Sequence, residues 1–157
     1  MREHVCASCG DFLLLFPVEN IGAIEPVPGQ TRFGAWIGRA RRGAGAAEPV
    51  LDVRRLVGVR APAPAHEGVF LRWRATVGAR RLSLLVDAVL AIVDCYAGDL
   101  IEVPILPRRL RPLCEQVMHD PSGRLRLRVK PDVQLPFERT SDRRSFLRSL
   151  LTTEPGA

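Results

Sequence analysis

The chain reads as short apolar stretches broken by turn residues. Val5 to Cys9 is β-compatible, and Gly10-Asp11 marks a turn. Phe12 to Val27 is apolar, but Pro17 and Gly22 forbid one continuous helix. Two strands, or one bent strand, fit better, the first forming a hairpin with Val5–Cys9. Pro28-Gly29 predicts a turn and Phe33 to Ile37 a strand. Gly38 to Ala47 predicts a basic, glycine-rich hairpin tip, and Pro49 to Asp52 a returning strand. Asp52 can cap a short helix over Val53 to Val57 that Gly58 ends.

Ala61-Pro62-Ala63-Pro64-Ala65 is a stiff Pro/Ala linker. It predicts a division into a first half of about 5–60 and a second of about 68–137, with 1–140 as one domain. Val69 to Ala75 alternates, with Val69, Leu71 and Trp73 on one side and Arg72 and Arg74 on the other. Leu82 to Cys95 predicts strand, a break near Asp87, then strand. Asp99 to Leu113, carrying Pro104, Pro107 and Pro112, predicts an irregular crossing. Val117 to His119 predicts a short strand before the turn at 120–123. Arg124 to Val129 alternates strictly, predicting leucines and Val129 inward and three arginines outward. Asp132 to Leu135 closes this region. Ser141 or Asp142 can cap a helix to about Leu151, within a C-terminal segment of 141–157.

Composition sharpens this picture. Of 157 residues, 46% are hydrophobic and 25% charged, which suits a folded domain, and 13 Gly and 13 Pro disfavour long helices. The net charge of +6 rests on arginine, since Lys130 is the only lysine. Arginine suits planar, bidentate contacts with carboxylates or phosphates. No apolar run is long enough to span a membrane, and Met1–Val5 lacks the apolar core of a signal peptide. A cytoplasmic location without membrane insertion is therefore expected.

Candidate chemistry is sparse. Gly38-x4-Gly43 has the glycine spacing of a phosphate loop, but Ala44 and Gly45 stand where Lys and Ser/Thr are needed. Cys6-x2-Cys9 could be half a zinc site or a redox pair. In a strand the two would face opposite ways, and Cys95 and Cys114 offer no matching spacing. No nucleophile elbow exists. Aromatics, at 6%, are too few and too apolar in setting for a nucleic-acid platform. The expectation is a protein with no catalytic residues, metal, cofactor, small-molecule substrate or nucleic-acid partner.

The order of motifs resembles the CheW-like chemotaxis coupling family. Glu48 to Gly58 (EPVLDVRRLVG) resembles its P-V-(I/L)-D-L-x-x-x-L-G segment, and Arg80 to Val93 (RRLSLLVDAVLAIV) its L-L-V-D-x-V-L-x-V stretch. Phe12–Val27, Asp99–Pro107 and Ser122–Leu135 resemble its second strand, acidic crossing and closing hairpin. Gly34–Ala40 matches the family's G-V-x-N-L-R-G hairpin in part: with Arg39 as the family arginine the loop is lengthened through Ala47, and with Arg42-Gly43 as the match the strand before it is stretched. The resemblance implies an all-β fold of two intertwined, SH3-like five-stranded barrels with a short internal helix, here followed by the C-terminal helix. It implies an adaptor that links the cytoplasmic tip of a chemoreceptor to the regulatory domain of a CheA-type histidine kinase. Trp36, Leu51, Val53 and Val57 would shape an apolar docking patch, with Arg39, Arg42 and Arg55 offering charge to an acidic partner. The lengthened loop motivates an alternative: a stand-alone regulatory domain that binds the kinase or another signalling protein without coupling receptors.

Overall fold

The computed structural model describes residues 1–34, 37–74, 82–102, 111, 113–119 and 122–130. The anticipated closing strand at 132–135 and the helix at 141–151 lie outside them, as does Trp36. The strands are β1 (Arg2–Cys9), β2 (Phe12–Pro17), β3 (Ile21–Pro26), β4 (Gln30–Gly34), β5 (Ile37–Arg41) and β6 (Glu48–Asp52). Helix α1 (Val53–Leu56) follows. Then come β7 (Val69–Trp73), β8 (Leu82–Val86), β9 (Ala88–Cys95), β10 (Leu100–Glu102), β11 (Cys114–His119) and β12 (Leu125–Val129).

These strands form two sheets of six, rather than five, strands. One runs β10-β11-β12-β2-β1-β9 and the other β3-β7-β8-β6-β5-β4. Each sheet draws strands from both sides of the Pro/Ala segment. The chain changes sheet after Pro17, through a single turn over Val18–Asn20, and again at Asp87. That interlacing is the intertwined two-barrel architecture the resemblance implied.

The central strands are buried on both faces, so they read as continuous apolar runs instead of alternating ones. In β2, Leu14 and Phe16 enter a core shared by the two sheets, with Leu51, Leu71 and Leu84 from the second. Leu13 and Leu15 face a core within the first sheet, with Cys6, Cys95 and Met118. In the second sheet, Phe70, Val50, Leu85 and Ala40 make a third core. Phe16 and Trp73 meet edge to face across the shared core, their centroids 6.4 Å apart.

Two sequence expectations need correction. The strand placed at Phe33–Ile37 spans a hairpin instead, because β4 and β5 pair antiparallel on either side of residues 35–36. Much of the anticipated glycine-rich tip is therefore strand. Gly38 sits within β5, where a Cβ would lie 2.2 Å from the Arg32 carbonyl oxygen and 2.6 Å from the Phe33 ring. Its missing side chain serves close packing, not phosphate binding. The second correction is in β12. Leu127 and Val129 point inward as expected, but Leu125 is half exposed and Arg128 is buried. β12 runs parallel to β2 with Arg128 opposite Leu15, so Arg128 shares the face that carries the core of Leu13, Leu15 and Met118.

Gly38→Ala is expected to destabilise the protein by about 1–3 kcal/mol, the range typical of overpacking. Gly34→Ala is the control, because nothing lies within 4 Å of its added methyl. Urea denaturation of the two variants checks this; equal midpoints would refute it.

Candidate functional site: an arginine face and its buried support

Two sets of charges define the second sheet, one on its surface and one beneath. The surface set lies on the β4–β5 hairpin. Its register places Arg32 directly opposite Arg39 and Gln30 opposite Arg41. Alternation puts these side chains on one face, while Thr31, Phe33, Gly38 and Ala40 turn to the other. Arg32, Arg39 and Arg41 are all exposed, and none has an ion-pair partner among the described residues. Like charges directly across a strand pair destabilise it. The hairpin therefore holds a concentration of positive charge that no acid among the described residues neutralises.

Arg42 behaves differently. Its Nη1 donates to Glu48 Oε2 at 2.6 Å, and its Nη2 bonds Glu25. Arg72 lies near the same two carboxylates, at 3.5 Å from Glu25 and 3.6 Å from Glu48. β3 and β5 stand far apart in the sheet order, yet Arg42 reaches both Glu25 in β3 and Glu48 in β6. The sheet thus curls back on itself, and this four-charge network spans its mouth. Arg42 is committed within the chain.

The buried set is centred on Arg54. Asp52 caps α1, and its Oδ1 accepts the Arg54 backbone N–H at 3.1 Å. The same carboxylate receives the Arg54 guanidinium in bidentate fashion, Nε to Oδ1 at 3.0 Å and Nη2 to Oδ2 at 3.1 Å. Nη1 donates to the Ala63 carbonyl at 2.7 Å and to Asp87 Oδ1 at 3.3 Å. Asp87 Oδ2 in turn accepts the Gly10 N–H at 2.6 Å. One side chain thereby ties together α1, the Pro/Ala segment, the β8–β9 crossover and the β1–β2 turn. Burial opposes the Arg54 charge, but the hydrogen bonds and charges of Asp52 and Asp87 outweigh it and hold the guanidinium above its ordinary value.

Gly10 fits this junction because it has φ +58° and because a Cβ there would come within 2.6 Å of Val59. Arg55, the neighbour of Arg54, points outward and is 51% exposed, reaching back to Asp52 at 3.6 Å.

A second buried polar group sits in the first sheet. Arg128 Nε donates to His4 Nε2 at 3.1 Å, while His4 Nδ1 bonds the Arg2 carbonyl at 3.2 Å. Arg128 Nη1 also donates to Glu115 at 2.7 Å and Gln116 at 3.0 Å. Accepting at Nε2 requires a neutral imidazole. Burial, reinforced by the Arg128 charge against the pull of the Arg2 carbonyl and Glu19, depresses the His4 pKa.

The anticipated docking residues therefore separate. Arg39 and Arg55 are exposed, and Arg42 is engaged by Glu25 and Glu48. Leu51, Val53 and Val57 are fully buried in the shared core, so they support the fold and form no surface patch. Sequence reasoning missed Arg32, Arg41, Arg54 and Asp87. The hairpin register would have revealed the first two, since Gly34 opposite Ile37 sets 32 opposite 39. Cys6 and Cys9 face different cores, as the strand reading predicted. Burial and the Asp87 charge push the Cys9 thiol far up, and burial raises Cys114 to about 12, so neither is a ready nucleophile. No group of His, Cys, Asp and Glu among the described residues is arranged to hold a metal.

Removing Arg54 strands a buried carboxylate. Arg54→Leu is expected to cost about 3–5 kcal/mol, and adding Asp52→Asn should restore part of the loss. A denaturation double-mutant cycle reads the coupling; additive losses would refute it. For His4, the unfolded chain binds the proton more tightly than the folded one. Its contribution is whole above the ordinary value of 6.5 and declines as pH falls below it. Thermal scans should show a steeper loss of stability below that pH in the native protein than in His4→Gln.

No protein-family model matches the sequence, and no curated protein matches it. Among solved structures, the chain is similar to the scaffolding protein TtCheW from Thermoanaerobacter tengcongensis. The two superpose with a TM-score of 0.70 at 15% sequence identity, over 88% of this chain and 94% of that one. The chain has the CheW-like fold.

Proposed function

We propose that the protein is a non-enzymatic chemosensory scaffold. It holds the regulatory domain of a CheA-type histidine kinase and the cytoplasmic tip of a chemoreceptor together by surface docking. The observation that carries this reading is the Arg32/Arg39/Arg41 face. Three exposed guanidinium groups sit at a sheet edge with no acid among the described residues to meet them. A carboxylate-bearing partner relieves their mutual repulsion and gains planar, bidentate hydrogen bonds. The CheW-like fold supports the assignment, since the protein it resembles is a scaffolding protein.

The commitment of Arg42 favours a second reading. With Arg42 held by Glu25 and Glu48, the 42–47 loop loses a charge that it could otherwise offer a receptor. A domain that binds the kinase or another signalling protein alone fits that loss. Formation of a ternary complex with kinase and receptor decides for the first reading; kinase binding without receptor binding decides for the second.

Charge reversal separates docking from folding. Arg32→Glu places an acid opposite Arg39 and is expected to raise stability by about 0.2–1 kcal/mol. The Arg32→Glu/Arg39→Glu double variant is expected to weaken binding to the kinase regulatory domain by about tenfold or more, chiefly through a slower on-rate. Calorimetry and stopped-flow association measure both effects. Unchanged affinity in a folded double variant, or no binding by the native protein, would sink the assignment.

A further inference from the structure

The edge of the first sheet carries the opposite charge. β9 ends its sheet order, and β1 is its strand neighbour. Their register sets Glu3 opposite Asp94 and Val5 opposite Ile92. Opposed residues share a face, as do residues two apart, so Glu3, Asp94 and Ile92 lie together. Both carboxylates are exposed, and neither has an ion-pair partner among the described residues. Ile92 is 64% exposed and Leu90 55%. Leu90 is also the extra residue of a bulge, because Cys6 pairs Ala91 and Ala7 pairs Val89. The edge thus joins an acidic cross-strand pair to the exposed run Leu90-Ala91-Ile92.

We propose that the outer edge of β9, with Glu3, is a second docking surface, built for an extended segment of another protein that carries aliphatic residues and Lys or Arg two residues apart, on one face. Strand addition supplies such a segment with backbone hydrogen bonds, while pockets and charges select its side chains. Its aliphatic residues cover Leu90 and Ile92, and its bases meet Glu3 and Asp94. Charge argues against a second copy of this chain as the occupant. An antiparallel β9 pair would bring more copies of Glu3 and Asp94 to the seam. Arg2, the nearest base on β1, alternates to the opposite face. The inference is independent of the arginine face, which lies on the other sheet.

The test is titration of isotope-labelled protein with a short synthetic peptide carrying Ile and Lys two residues apart on one strand face, with Thr between them, followed by amide chemical shifts. Saturable shifts are expected on β1 and β9. A matched peptide with Glu in place of Lys should leave them unmoved. Glu3→Lys/Asp94→Lys should weaken binding by about tenfold or more, whereas Arg32→Glu/Arg39→Glu should leave it unchanged. Asp94→Asn should raise the melting temperature while weakening the peptide, since it relieves the facing charges. Equal responses to both peptides, shifts confined to other strands, or a fall in melting temperature for Asp94→Asn would overturn the proposal. So would sedimentation showing a dimer through β9 that excludes the peptide.

Discussion

A buried positive charge must be answered on every side, and in this protein the answer organises the fold. Arg54 is 2% exposed, and leaving it unpaired would cost several kcal/mol. Its partners come from three separate places in the sequence. Each must be in position before the charge is satisfied, so the helix cap, the Pro/Ala segment and the sheet crossover are set together. A hydrophobic contact is non-directional and tolerates sliding. A guanidinium with bidentate and single hydrogen bonds in fixed directions does not. The two sheets share an apolar core, and this cluster fixes how they meet at one end.

That rigidity bears on the surface above. β6 lies between β5 and β8, and it leads directly into Asp52 and α1. The arginine hairpin is thus mounted on a strand whose far end is anchored by buried ion pairs. The Arg42–Glu25–Glu48–Arg72 network anchors the distal end of β5, the hairpin strand that pairs with β6. Networked pairs of this exposure contribute modestly to stability. Their value here is positional, keeping Arg42 and the start of the 42–47 loop over the curled sheet. A docking surface held this way loses little side-chain and backbone freedom on binding.

Much of the architecture was legible in the sequence because turn residues punctuate it. Gly10-Asp11, the break at Asp87 and the Asp52-capped helix ending at Gly58 all stand where the residues placed them. The docking residues were less legible. Leu51, Val53 and Val57 look alike whether they face a partner or a second sheet, and only the burial of both sheet faces decides between these. Arg54 and Arg55 are identical in type and adjacent, yet one is core and the other surface. The difference is set by Asp87 and Ala63, which approach from elsewhere in the chain. Arg128 was read as solvent-facing because strict alternation normally leaves one face wet; here that face carries the first sheet's own core around Leu15 and Met118, and Glu115, Gln116 and His4 satisfy the charge.

The interlaced order of strands has a consequence for how the chain is made. β1 and β2 are synthesised first, but their outer neighbours β9 and β12 emerge only after β8, with β12 the last of the described strands. Until then, a doubly apolar hairpin has no cover for either side. Pairings of such long sequence separation form slowly, since the loop must close before any contact rewards it. The nascent hairpin is therefore the region most exposed to wrong partners in the cell. The second sheet, complete once β8 has emerged, can assemble first and offer that hairpin a surface on which to wait.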